Sequence, residues 1–333
     1  MQTILVTGAS GFVGTHTLAA LAQYDDIHLI IACRDYTKIK LDIAAEHRLG
    51  DLRDADYRRR LLQGVDVVCH TASWSSLYGH TKASRELYLQ PTLALLQDTR
   101  AAGVKHWVNV STTSAAASER SSDAMSPGID RPFWPHLVNV IKIENQLRQM
   151  ADDHFQVMNL RFGIFAGQHY GLGVLPILLP RLKTHLVPWV TGGSTSMPII
   201  DGRDVGQAMA LAARATNKLA YESFNVLGPE VPSVKQVLTF LHEQYDLPMP
   251  HFSVPFSVAY RFAHLMELLD PIVPWAPLVT RSIIHLLEEV RADTVQARLE
   301  YRPQYHWQDA IRTQLQEMAM RQTGNMPMAL PVR

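Results

Sequence analysis

An apolar run, Thr3-Ile4-Leu5-Val6, passes directly into Thr7-Gly8-Ala9-Ser10-Gly11-Phe12-Val13-Gly14, a turn with three glycines spaced three apart. A strand that ends in such a turn has to open onto a helix. Gly8 lets the backbone turn sharply, Gly11 lets it approach a pyrophosphate, and Gly14 lets the helix pack closely on the sheet. The helix N-terminus, with Ser10, Phe12 and Val13 in the same turn, then presents unpaired N–H groups to the phosphates. The expectation is an α/β chain with a doubly wound parallel sheet that binds a dinucleotide.

The rest of the first half agrees. Up to about residue 165, short apolar strands alternate with helical segments, as a parallel sheet with crossover helices requires. Helices are expected at 12–23, 57–62, 84–102 and 135–150, strands at 27–33 and 155–161, and a strand with its loop at 65–72. Glycine- and proline-rich loops at 167–173, 192–194 and 229–232 separate the later pieces.

The Gly-x-x-Gly-x-x-Gly spacing and the chain length resemble the extended branch of the short-chain dehydrogenase/reductase superfamily, which includes the NAD-dependent epimerases and dehydratases. Arg34-Asp35, Gly50-Asp51-Leu52-Arg53-Asp54, the strand ending Cys69-His70-Thr71-Ala72 and Val108-Asn109-Val110-Ser111-Thr112-Thr113-Ser114 match its successive strand ends. Asp293-Thr294 through Ala297 and Leu299-Glu300-Tyr301-Arg302-Pro303 are similar to the closing segment of the dihydroflavonol reductase and 3β-hydroxysteroid dehydrogenase-like subgroup. The resemblance implies a nucleotide-binding domain at 1–166 and 197–226, a smaller, mostly helical, discontinuous substrate domain at 167–196 and 227–325, and a tail at 326–333. It also implies that Asp51 and Leu52 meet the adenine, that Thr71, Ala72 and Ser73 lie along the pyrophosphate and ribose, and that Ser111, Phe162 and Ile164 border the cofactor.

Which nicotinamide cofactor is favoured depends on the end of the second strand. A carboxylate there holds the ribose 2′-OH of NAD, whereas an arginine suits a 2′-phosphate. Arg34 stands 20 residues past Gly14, with Lys38 and Lys40 near it and Asp35 as the countervailing residue. NADP(H) is therefore expected over NAD(H).

The superfamily's chemistry uses a hydroxyl to orient a carbonyl, a tyrosine to move the proton, and a lysine four residues later on the same helix face. By resemblance Thr113 is the hydroxyl and Lys142 the lysine, which also borders the cofactor. Four residues before Lys142 stands Val138, which has no proton to give. The substitutes considered are Asn139, about 60° from Lys142 around the helix, and Tyr78, His80, His136, His169 and Tyr170 in loops or at a helix start. A second departure is Tyr88, where relatives carry an asparagine. The alternatives are that the protein binds NADP with little turnover, or that Lys142 acts directly, with or without Glu144.

Composition narrows the function classes. Lys+Arg and Asp+Glu both number 31, so no net field attracts nucleic acid. Only Cys33 and Cys69 are present, which excludes a disulfide framework and suits a reducing cytoplasm; a strand starting at residue 3 leaves little room for a secretion signal. No run is long enough to span a bilayer. The histidines form no metal-binding spacing. The proline-broken apolar segment 268–279 suits small-domain packing, a lid, a membrane-surface patch or a homodimer contact. The reading is an NADP(H)-binding oxidoreductase with an atypical active site, acting on a hydroxyl/carbonyl pair of a largely apolar small molecule. A sugar-nucleotide epimerase or dehydratase is the enzymatic alternative and a catalytically weak NADP-sensing protein the non-enzymatic one. Arg181 and Arg203 are the only arginines between Arg161 and Arg214, too few for an evident nucleotide-diphosphate pair.

Overall fold

The computed structural model describes residues 1–116, 132–216, 218–273, 277–287 and 298–322. Asp293, Thr294, Ala297, the middle of the 268–279 segment and the 326–333 tail lie outside these residues.

Seven parallel strands form the sheet: β1 (Gln2–Thr7), β2 (Ile27–Cys33), β3 (Glu46–Leu49), β4 (Val67–His70), β5 (His106–Thr112), β6 (Gln156–Phe162) and, far along the chain, Tyr221–Val226. Their spatial order is β3-β2-β1-β4-β5-β6 followed by Tyr221–Val226. Strand order reverses between β1 and β4, and the crevice beyond the carboxyl ends there is where such sheets take ligands. Strand side chains alternate between faces, and helices cover both, so every position must be apolar. Ile4 and Val6 of β1 enter one core with Met158 and Met209, while Leu5 enters the other with Val68, Trp107, Ile141 and Leu147.

Helix α1 (Phe12–Leu21) packs on one face beside Gly202–Arg214, where a Cβ at Gly206 would run into the His16 carbonyl. The opposite face carries α2 (Ala55–Leu61), α3 (Thr81–Ser84), α4 (Gln90–Ala101) and α5 (Pro135–Met150). The single helix expected at 84–102 instead starts at Thr81 and passes through a π-turn, Arg85–Leu89, before α4. Pro91 accounts for this, because it has no N–H to give to the carbonyl of Leu87 and the helix must open there. Two short strands, Ile164–Ala166 and Ile199–Asp201, pair outside the main sheet. A third apolar cluster, with Leu175, Leu182, Met197, Val237, Leu241, Trp307 and Ile311, lies beyond them.

Candidate active site

A cavity of about 880 Å³ opens at the switch point. Its floor is the glycine turn. Gly8 has φ +64°, and a Cβ on it would sit 2.5 Å from the backbone of Ala72; Gly11 donates its N–H to the Gly8 carbonyl at 2.9 Å. Gly14 is not in the wall, because it lies against the backbone of Gly8 and Ala9. Gly8, Ser10, Gly11, Phe12 and Val13 line the cavity, so the α1 N-terminus faces it.

Across from the turn, His70 fixes the end of β4. Its Nδ1 meets the Thr7 hydroxyl at 2.9 Å and its Nε2 the Thr92 hydroxyl at 3.0 Å, while burial holds its pKa down to about 3. Thr71 donates its hydroxyl to the Thr7 carbonyl at 2.6 Å, and Thr71, Ala72 and Ser73 follow along the wall.

At the adenosine end the wall contains Arg34, Asp51, Leu52 and Arg53. Arg53 holds both carboxylate oxygens of Asp51, at 3.0 and 2.7 Å, and keeps its pKa at about 2. Asp35 is turned away, accepting from the Thr37 N–H and hydroxyl at 3.0 and 2.7 Å. Lys38, expected beside Arg34, is exposed near Asp35 and does not line the cavity. The lysine that does is Lys40, which donates to the His169 carbonyl at 3.1 Å. Arg321 reaches the same rim, paired with Glu317 at 2.8 Å. Among the described residues the wall thus carries four permanent cations and a single carboxylate, itself paired. A dinucleotide, with its pyrophosphate, fits this balance.

The inner end differs most from expectation. Helix α5 turns His136 and Val140 to the cavity, and neither Val138 nor Lys142 is in the wall. Lys142 is exposed to solvent. The orientation is set one turn further on by Glu144, fully buried with Arg161 of β6, whose Nη2 lies 2.5 Å from Glu144 Oε2 and whose Nε lies 3.1 and 3.2 Å from the two oxygens. Ser111 lines the cavity, but its hydroxyl donates to Glu144 Oε1. A buried carboxylate has to face its cation. Positions four and eight before it, Val140 and His136, therefore face the same way, and a residue two positions off cannot.

His136 is held neutral by burial, its pKa lowered to about 4, with a hydrogen bond to the Trp74 backbone and its Nδ1 unpartnered. The Tyr88 ring, 5.2 Å away centre to centre, also lines the cavity, and burial raises its phenol pKa. Tyr88 lies on the π-turn, a helix irregularity frequent at functional sites. Thr112 is in the wall; Thr113, one residue on, is buried behind it in a short 3₁₀ turn and is not.

Of the proposed proton sources, Tyr170 lines the cavity, its ring tilted against that of Phe12 at 4.5 Å between centres and its pKa raised by burial to about 12, and His169 lines the rim. Three others are engaged elsewhere. Tyr78 donates to Asp270 at 3.1 Å, Asn139 donates to the Ser84 hydroxyl at 2.8 Å inside the helix layer, and His80, itself not in the wall, packs edge-on against the wall residue Trp74. Phe162 is in the core rather than the wall, and Ile164 gives way to Phe165, which points the opposite way along its strand.

The family model for the NAD dependent epimerase/dehydratase family matches residues 4–226. The chain belongs to that family. Among curated relatives of this family member, sterol demethylase protein B of Methylococcus capsulatus is 30% identical over 81% of the chain and 82% of its own length. UDP-glucose 4-epimerase of Erwinia amylovora is 26% identical over 57% of the chain and 60% of its own length. The fold matches the NAD complex of a Thermus thermophilus UDP-glucose 4-epimerase, with a TM-score of 0.68 and 20% identity over 96% of this chain and 99% of that one. It also matches a Bacillus cereus UDP-glucuronic acid 4-epimerase, with a TM-score of 0.71 and 17% identity over the same shares.

Proposed function

We propose that this family member is an NADP(H)-dependent oxidoreductase that interconverts a secondary alcohol and a ketone on an apolar, sterol-like molecule, with Tyr88 and His136 in place of the usual tyrosine and lysine. Residues 1–166 and 197–226 hold the nucleotide, and 167–196 with 227–325 shape the substrate end. The observation that carries the reading is the single cavity joining the glycine turn and Arg34 to Tyr88 and His136. Bound there, a reduced nicotinamide supplies the hydride that reduces the carbonyl carbon.

The chain's own groups supply the rest. Tyr88 lines the cavity and carries a phenolic proton at neutral pH, which makes it the candidate to donate to the carbonyl oxygen in the reductive direction, although burial makes it a weaker acid than a free phenol. Neutral His136 offers its unpartnered Nδ1 to a substrate or ribose hydroxyl. Thr112, in the wall one residue before the buried Thr113, is the candidate to orient the carbonyl. Arg34 supports the preference for a 2′-phosphate, since Asp35 is engaged by Thr37.

The sterol-type substrate rests on the name of the relative from Methylococcus capsulatus. The sugar-nucleotide alternative is disfavoured by the two arginines available for a diphosphate. Arg203 is held by Asp201 at 2.8 and 2.9 Å and lies over the Tyr305 ring, and Arg181 donates to the carbonyls of Leu278 and Ile177.

The test is reduction of a 3-keto sterol by NADPH, set beside NADPH binding measured calorimetrically. Tyr88→Phe should lower turnover by about 10²-fold or more, the usual worth of a general acid, with NADPH affinity retained. Wild-type binding without turnover on sterol ketones or UDP-sugars would leave a nucleotide-sensing protein instead.

A further inference from the structure

Helix α6 (Phe256–Leu269) has two apolar stripes. Ala259 and Ala263 turn inward onto Val190 and Ile284. On the outer side Val258, Phe262, Leu265 and Leu268, continued by Ile272 past the helix end, are 47–78% exposed. A helix face facing water is normally polar, and a continuous apolar stripe of this length marks an interaction surface.

The surrounding charge is one-sided. Arg261 and His264 flank the stripe on the same helix, and His185 and His251 stack 5.6 Å apart near its start. There is no Asp or Glu between residues 247 and 266, nor between 154 and 200. At the helix end the carboxylate of Glu267 is buried with Arg281 at 2.6 Å, and Asp270 accepts from Tyr78. A second copy of the chain fits this face badly, because a two-fold contact sets the same patch against itself and would bring Arg261 near its own counterpart with, among the described residues of the stripe, no free carboxylate to pair it. An exposed apolar stripe with Arg261 beside it and its nearest carboxylates, Glu267 and Asp270, already engaged matches an anionic bilayer surface.

We propose that the outer face of Phe256–Leu269 docks the protein on anionic membranes. The docked helix adjoins the substrate end of the cavity: Tyr78 ties it to Asp270, Ser282 donates to the Leu77 carbonyl, and Trp74 and Ser75, a few residues before, are in the cavity wall. An apolar substrate dissolved in the bilayer would thus be presented at that end. Only this last step rests on the function proposed above. The docking is tested without substrate or cofactor.

The experiment is co-sedimentation of the full chain with phosphatidylcholine vesicles, with and without phosphatidylglycerol, at low and high salt. Wild type should partition onto the phosphatidylglycerol vesicles, and added salt should weaken this. Phe262→Glu with Leu265→Glu should reduce the bound fraction about tenfold or more, as expected when a buried aromatic and a leucine are withdrawn from the lipid. Arg261→Glu should remove most of the dependence on phosphatidylglycerol. All variants should keep the wild-type melting temperature and NADPH affinity. Three results overturn the proposal: no wild-type partitioning onto either vesicle, equal partitioning of the glutamate variants, or a wild-type dimer in solution that Phe262→Glu converts to monomer.

Discussion

Replacing Glu144 by alanine removes the carboxylate that, among the described residues, holds the Nε and Nη2 of Arg161. The guanidinium has no exposure, sits within 2.5–3.2 Å of both Glu144 oxygens and cannot reach water without moving β6. Breaking a buried pair from one side costs about 3–5 kcal/mol, because a desolvated charge remains. The Ser111 hydroxyl loses its acceptor as well, worth about 1–3 kcal/mol if nothing replaces it. Together these approach a third or more of the roughly 5–15 kcal/mol that holds a typical domain folded. Urea unfolding followed by circular dichroism should show the midpoint fall strongly with little change in slope. Glu144→Leu with Arg161→Met should recover most of the loss, since both charges leave together. A loss below about 1 kcal/mol for the single variant, or no recovery in the double, would refute the argument that this pair sets the rotation of α5.

Lys142→Ala should leave stability within about 0.5 kcal/mol of wild type, with NADPH affinity and turnover unchanged, whereas Val140→Asp, which puts a carboxylate into the cavity wall, should weaken binding of the anionic NADPH in calorimetry. Arg34→Ala should lower NADPH affinity by roughly tenfold or more, one charge-assisted hydrogen bond, and leave NADH affinity nearly intact; equal losses for both would make Arg34 structural. Burial holds His16, His70, His106 and His136 near 4, 3, 4 and 4 respectively. The unfolded chain takes up these protons first, around pH 6.5, so stability is fully present above that value and falls as pH drops toward 4, by up to about 1.4 kcal/mol per pH unit per histidine. Urea midpoints that stay level across this window would contradict the burial of these rings.

The glycine turn, the order of strands and helices through residue 165 and the Rossmann class were legible because they rest on local patterns: apolar runs, three glycines and regular crossovers. The rotation of α5 was not. Lys142 looked like the lysine of the family pattern, but a helix face is fixed by what it buries, and Glu144 is the only carboxylate between 135 and 150. Counting back by fours from a buried acid leads to Val140 and His136, yet nothing local says that Glu144 is buried, since its partner Arg161 stands on another strand. Tyr88 carried a clearer signal in Pro91, which forces the helix open beside it. Lys40, Arg321 and Phe165 reach the cavity through long-range packing of loops and the final helix, which no sequence window contains.

The most direct measurement is a crystal structure of the NADP⁺ complex. It should show the 2′-phosphate on Arg34, the pyrophosphate over the N–H groups of Gly11, Phe12 and Val13, and the nicotinamide ring within contact distance of His136 and Tyr88. A nicotinamide held against Lys142 with Val138 beside it, or an adenosine ribose turned away from Arg34, would contradict the account.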